Sequence, residues 1–322
     1  MTGPETTPSA TAHREFGAHK VRTRVHRADA MFSWQRTRAH RSLVNAVEEL
    51  VPPRSEDSAR LVVGARTDNT FTYRLSGDTS LGEDTLRAWG SGSASHIARH
   101  CAAAGTTLLD LAASPPADRQ LPPPLGANQI RTWLRQSGSS TNGETAARVR
   151  LHTELLATAG TARTRTLAEW VDQLIEEPPR LDLLHGEYSV SAMIPDRDGG
   201  GLAVFFGETV CRGPIEYDAG WLVGELAEWS DVLQTEDGAM ALRLGVLASS
   251  FLRTLTDLDL DLLGRVVVLR RLMHVIDYAS AFGWSDLLTS YVALMPELVD
   301  SRGMSTLSRI GWDKDVAARL PS

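Results

Sequence analysis

The sequence predicts an α+β fold, with a small β-containing N-terminal part and a larger, mainly helical remainder. Three observations carry this expectation. Two β-prone runs, 60–66 and 70–75, flank Thr67-Asp68-Asn69 in a hairpin pattern. Two apolar runs, one through Leu181, Leu183 and Leu184 and one over 202–206, stand either side of a turn rich in Asp and Gly at 195–201. Beyond Asp218, apolar residues recur every three or four positions almost to the end of the chain.

Taken in order, residues 1–12 lack the charged-then-apolar order of a secretory signal and read as a disordered tail. Residues 13–41 carry eight Lys or Arg against Glu15 and Asp29, inside a chain of net charge −7. A basic, disordered arm over 1–27 is therefore expected on an acidic body. Arg22, Arg24, Arg27, Arg36 and Arg38 are candidate contacts for an acidic peptide or a partner protein. A solvated helix surface is the plainer alternative, and nucleic acid an unlikelier third. Leu43, Val47 and Leu50 predict a helix within 28–50, stopped by Pro52-Pro53. With the hairpin, this gives a small unit of helix plus β-hairpin over 28–90. Residues 91–322 form the helical unit. Ile97, Cys101, Ala104, Leu108 and Leu111 mark an amphipathic helix over 94–113. One or two helices follow over 127–158, broken at 138–143, and Leu167, Trp170, Val171, Leu174 and Ile175 form a stripe ended by Pro178-Pro179. Helices are then expected over 221–229, 242–255, 262–282 and 284–299. The chain of 322 residues is 42% hydrophobic, enough for a sizeable core, and no apolar run is long enough to span a membrane. Cys101 and Cys211 are too few for a disulfide framework, and no Cys/His spacing suggests zinc. A cytoplasmic location follows as an expectation.

The stretch 181–221 holds the chemistry. His185-Gly186-Glu187 follows the first apolar run, Phe206 ends the second, and Gly213-Pro214-Ile215-Glu216-Tyr217-Asp218 opens a helix. This layout resembles the catalytic core of the aminoglycoside phosphotransferase family, relatives of protein kinases. That family presents His-Gly-Asp at a strand end, an Asn five residues later, Ile-Asp-Trp on a second strand, and Gly-Asp-Pro-x-x-Asp before the next helix. Residue by residue, His185 and Gly186 match, and Asp218 keeps the last acid. The catalytic Asp is Glu187, the Asn position is Ala192 and the metal-binding Asp is Phe206. The helix over 94–113 also matches in position, ending in Leu111-Ala112-Ala113 where the family often has Leu-His-Ala. The resemblance covers residues 90–300 well and the preceding part poorly. The family's N-terminal lobe is a five-stranded sheet with a phosphate-covering loop and a phosphate-holding lysine. Here a single hairpin is legible, and no lysine lies between Lys20 and Lys314. Arg66 and Arg74 are the candidate substitutes, and Gly90-Ser91-Gly92 reads as linker and helix cap.

The resemblance implies a kinase-like fold with a reduced N-lobe and a mainly helical C-lobe, and a degenerate active site within it. Phosphoryl transfer rests on positioning and on neutralising phosphate charge, mainly by magnesium held through hard oxygen ligands. Ala192 and Phe206 supply none. Losing one preorganised charge-stabilising group costs roughly 3–4 kcal/mol, so several lost together leave negligible transfer. His185 and Asp218 are expected to brace the loop that carries Glu187. The expectation is a pseudokinase without cofactor, binding a peptide or partner protein. The family analogy extends to an accessory subunit of a Ser/Thr-dehydrating complex in lanthipeptide-type natural-product biosynthesis. The alternative is an atypical ATP- and Mg²⁺-dependent phosphotransferase with Glu187 as base and Glu208 as metal ligand.

Overall fold

Period-two alternation, not helical spacing, governs the N-terminal region. Strands β1 (Arg14–Ala18), β2 (Val21–Ala28) and β3 (Met31–Arg38) run antiparallel in one sheet, followed by β6 (Thr70–Leu75) and β5 (Ala65–Thr67), in the order β1-β2-β3-β6-β5. Residues 14–18 and 21–27, expected in a disordered arm over 1–27, are strand, and within the described residues the helix expected over 28–50 gives way to β3 and a short 3-10 turn at Val47–Leu50. The reason is legible in the burial. Val25 on β2 and Phe32 and Trp34 on β3 are buried, while Arg22 and Arg24 are exposed, so each strand has one wet and one dry face. Asp29, at φ 57°, makes the tight β2–β3 turn in the left-handed region that Asp tolerates. The computed structural model describes residues 14–18, 20–39, 47–87, 94–114, 121–136, 146–234 and 237–312. The tail at 1–12, Leu43, Gly90-Ser91-Gly92 and the break at 138–143 lie outside them.

The hairpin expected around Thr67-Asp68-Asn69 is present as β5 and β6, with Asp68 at φ 52°. Residues 60–63, however, leave it. As β4 (Arg60–Val63) they pair in parallel with β9 (Leu202–Phe206), which in turn pairs with β8 (Met193–Pro195). A two-stranded ribbon of β7 (Asp182–Leu184) and β10 (Cys211–Gly213) completes the β structure.

Helices make up most of the rest. They are α1 (Leu81–Arg87), α2 (Ala94–Ala112), α3 (Leu125–Arg135), α4 (Ala146–Glu176), α5 (Glu216–Leu233), α6 (Gly238–Leu252), α7 (Leu260–Phe282), α8 (Asp286–Asp300) and α9 (Met304–Arg309). The expected helices over 94–113 and 262–282 correspond to α2 and α7, and the stripe from Leu167 is the second half of α4, beyond a non-helical residue at Gly160. No described helix is long and apolar enough to cross a membrane. Cys101 and Cys211 are both buried free thiols.

Strand β9 joins the two parts. Leu202, Val204 and Phe206 enter the core formed by α2, α5 and α6. Ala203 and Phe205, on its other face, enter a core with Val25, Phe32, Trp34, Phe71, Tyr73 and Leu75 of the five-stranded sheet. The candidate site lies at the end of this shared strand.

Candidate functional site

The loop after β7 is fixed through its backbone. Asp218, at the start of α5 and fully buried, accepts hydrogen bonds from the backbone N–H groups of His185 (2.6 Å) and Gly186 (2.9 Å). His185 Nε2 lies 2.6 Å from the Phe205 carbonyl, and its Nδ1 accepts the backbone N–H of Glu187 at 3.3 Å. Both ring nitrogens are thus used by a neutral imidazole. Burial depresses its pKa to about 4, although the Phe205 carbonyl and nearby acids pull the other way. Gly186 sits at φ 92°, and a Cβ there would lie 2.0 Å from the Thr209 carbonyl, so the turn requires glycine. Together His185, Gly186 and Asp218 hold Glu187 in place.

The two positions that lack metal ligands are core positions. Phe206 is fully buried among the helices, and Ala192 is buried at the foot of the sheet core. Neither side chain can be a ligand even in kind. Glu208, two residues past Phe206, is the nearest acid along the chain, and its carboxylate is already engaged. Arg36 Nε donates to Oε1 at 2.7 Å, Arg38 Nη1 to Oε2 at 2.8 Å, and the Tyr73 hydroxyl to Oε1 at 2.8 Å. The other arm of Arg38 reaches the Glu187 carboxylate, Nη2 to Oε2 at 2.6 Å.

One guanidinium therefore bridges the two acids that the sequence offers for catalysis. Burial works against the Arg38 charge, but the pull of Glu187 and Glu208 overcomes it and raises its pKa. For Glu208, burial raises the pKa, but Arg36 and Arg38 together lower it by more, leaving a net depression. Glu187 is depressed likewise, with burial opposed by Arg38 and Lys20. A general base works best with a pKa near the operating pH, and Glu187 is moved away from it.

The sequence groups Arg36 and Arg38 with the candidate partner-binding arginines, but the structure sets them apart from Arg22, Arg24 and Arg27. Both are buried, on the inward positions of β3 that alternate with Thr37. Arg22, Arg24 and Arg27 are exposed, and Arg22 and Arg24 lie 3.5 and 3.2 Å from Glu15. The phosphate candidates are also placed elsewhere. Arg74 is exposed on β6, and Arg66 donates to the Asp68 carbonyl in its own hairpin. Sequence reasoning missed the inward direction of Arg36 and Arg38. The alternation Phe32-x-Trp34-x-Arg36-x-Arg38 was the available signal.

Beside this network a cleft of about 280 Å³ opens between β1, β2, α3, α5 and α7, lined by Phe16, Lys20, Glu187, Ser189, Trp221 and Asp277 among others. Lys20, from the β1–β2 turn, crosses it to Gln129 Oε1 (2.6 Å) and Asp277 Oδ1 (2.7 Å). Behind it, the sheet closes directly on β9. The Trp34 and Tyr73 rings lie 5.5 and 4.3 Å from that of Phe205, and the Trp34 indole N–H donates to the Gly77 carbonyl at 2.9 Å.

The family of folds is settled by comparison with solved structures. Amicoumacin kinase, solved with AMP-PNP, Ca²⁺ and Ami, is 12% identical, with 93% of this chain and 90% of that chain covered at a TM-score of 0.52. The fold is kinase-like, of the aminoglycoside phosphotransferase type. Spectinomycin phosphotransferase, solved with ADP and spectinomycin, is 9% identical over 91% of this chain and 94% of its own, at 0.47. A choline/ethanolamine kinase family protein from Mesorhizobium loti is 14% identical over 97% and 94%, at 0.44. No family model and no curated protein sequence matches the chain.

The magnesium that such folds imply finds no free carboxylate at Glu187 or Glu208. Glu187 and Glu208 are turned onto arginines, Ala192 and Phe206 offer no oxygen, and Lys20 is held across the cleft by Gln129 and Asp277. Among the described residues, no group of three or more His, Cys, Asp or Glu is placed to hold a metal ion.

Proposed function

We propose that this protein is a pseudokinase, a kinase-fold protein without phosphotransfer, whose cleft binds a peptide or a partner protein. The observation that carries the reading is Arg38, whose guanidinium is bonded to both Glu187 and Glu208. A positive side chain occupies the position between two acids where phosphoryl transfer would need a divalent cation. The aromatic contact of Trp34 and Tyr73 with Phe205 supports it, since the space between sheet and C-lobe is filled by side chains. The role that accords with the resemblance is an accessory subunit of a peptide-modifying complex, in which the chain presents or positions a peptide that another subunit alters. The open part of the cleft, with Trp221, Glu187, Ser189 and Asp277, suits a short polar segment better than a nucleotide triphosphate.

Thermal unfolding with ATP and Mg²⁺ tests the non-catalytic part. A ligand that binds the native state at 100 times its dissociation constant adds about 2.7 kcal/mol of stability. No shift is expected here. A magnesium-dependent shift together with phosphate transfer would instead support Glu187 as base and Glu208 as ligand, after Arg38 swings away. The binding part is tested by co-purification from the native host. A partner retained by the wild type and lost with Trp221→Lys, at the cleft wall, supports the reading, and retention by both rejects the cleft as its site.

A further inference from the structure

Helix α6 has a composition that its position leaves unexplained. The segment Gly238–Leu252, GAMALRLGVLASSFL, contains a single charged residue, Arg243. A helix that is apolar all round is normally covered all round. Here Met240, Leu244, Leu247, Ala248 and Phe251 face the core, but Leu242 and Val246, one turn apart on the opposite side, are 75% and 54% exposed. They line a groove of about 650 Å³ between α6, the end of α5 and the turn that follows α9. The groove is built by a close approach. The Ile310 carbonyl passes so near Gly245 that a Cβ there would lie 2.9 Å from it, which sets Arg309 and Gly311 on the rim.

Two cations flank this apolar floor. Among the described residues the Arg253 side chain donates only to Ser250 on α6, and the Arg309 side chain only to Thr306. Among the described residues neither meets a carboxylate, whereas Asp231 on the opposite wall is taken by Arg271. We infer that this groove docks an amphipathic helix of a partner protein, with apolar residues at i and i+4 against Leu242 and Val246 and acidic residues toward Arg253 and Arg309. Helix-in-groove recognition has this pattern of spaced apolar anchors, and the rim charges would fix orientation and hasten encounter. A second copy of this chain is a poorer occupant, because the carboxylate that its own groove lining would bring to a two-fold contact, Asp231, is already held by Arg271. The apolar floor argues against nucleic acid. The groove shares no lining residue with the cleft, so it stands or falls separately from the pseudokinase reading.

The test is selection of a displayed library of helical 16-residue peptides on the immobilised full chain, with affinities of enriched peptides measured by fluorescence anisotropy. The expected peptides carry apolar residues at i and i+4 with Asp or Glu beside them. They should bind at least tenfold more weakly to Leu242→Glu and Val246→Glu, and several-fold more weakly to the Arg253→Glu/Arg309→Glu double variant. All four positions are exposed, and circular dichroism establishes that each variant is folded. If one of the apolar variants misfolds, the arginine pair still decides the matter. The inference is overturned by a lack of enriched helices, by binders indifferent to these changes, or by enrichment of Lys- and Arg-flanked helices. It is equally overturned if sedimentation shows a wild-type dimer that Val246→Glu makes monomeric.

Discussion

At the scale of single residues, Arg38 carries the most consequence. Buried Glu208 and half-buried Glu187 share its charge, and taking it away leaves Glu187 without its ion-pair partner and Glu208 with Arg36 and Tyr73 alone. Breaking a buried ion pair costs about 3–5 kcal/mol, so Arg38→Ala should lose that much stability in urea unfolding. The same substitution should create what the wild type lacks. With Glu187 and the Oε2 oxygen of Glu208 released, Mn²⁺ or Mg²⁺ should raise the melting temperature of Arg38→Ala and leave that of the wild type unchanged. Equal behaviour of the two proteins would show that the acids do not converge. His185 gives a second handle through pH. Its pKa falls from an ordinary 6.5 to about 4 on folding, so between those values the unfolded chain binds the extra proton. Its contribution to stability is therefore complete above pH 6.5 and is lost as pH falls toward 4. The stability of His185→Gln relative to the wild type should rise as pH falls from 6.5 to 4, measured by denaturant titration of both proteins at each pH.

At the scale of elements, the helices of the C-lobe were legible because an isolated amphipathic stripe reports its own geometry. Ile97, Cys101, Ala104, Leu108 and Leu111 all proved buried on α2. The N-terminal strands were misread because their inward faces mix Val25, Phe32 and Trp34 with Thr23, Arg36 and Arg38, which composition alone assigns to a solvated surface. Buried arginines become readable only once their acids, Glu187 and Glu208, are known to lie opposite, some 150 residues or more away in sequence. Strand β4 illustrates the same limit: local sequence gave it to the hairpin, while its true partner is the distant β9. The seam those strands form should be stiff. Trp34 has no exposed surface and its indole N–H is bonded to Gly77, so Trp34→Ala should cost about 3–5 kcal/mol. A loss below 1 kcal/mol in chemical unfolding would mean that the sheet does not depend on this contact.

At the scale of the molecule, β9 belongs to two cores at once, with alternate residues feeding each. Sheet and helices are thereby coupled through one strand, and calorimetry should show a single transition with calorimetric and van't Hoff enthalpies that agree. Two resolved transitions would mean that the lobes unfold separately. The His185-Gly186 turn and its Asp218 brace, both readable from sequence, lie where that strand ends, beside the Arg38 bridge. The bridge between the acids is itself part of the polypeptide. It cannot be washed out by chelators, so the resting shape of the interlobe seam should be indifferent to ion supply.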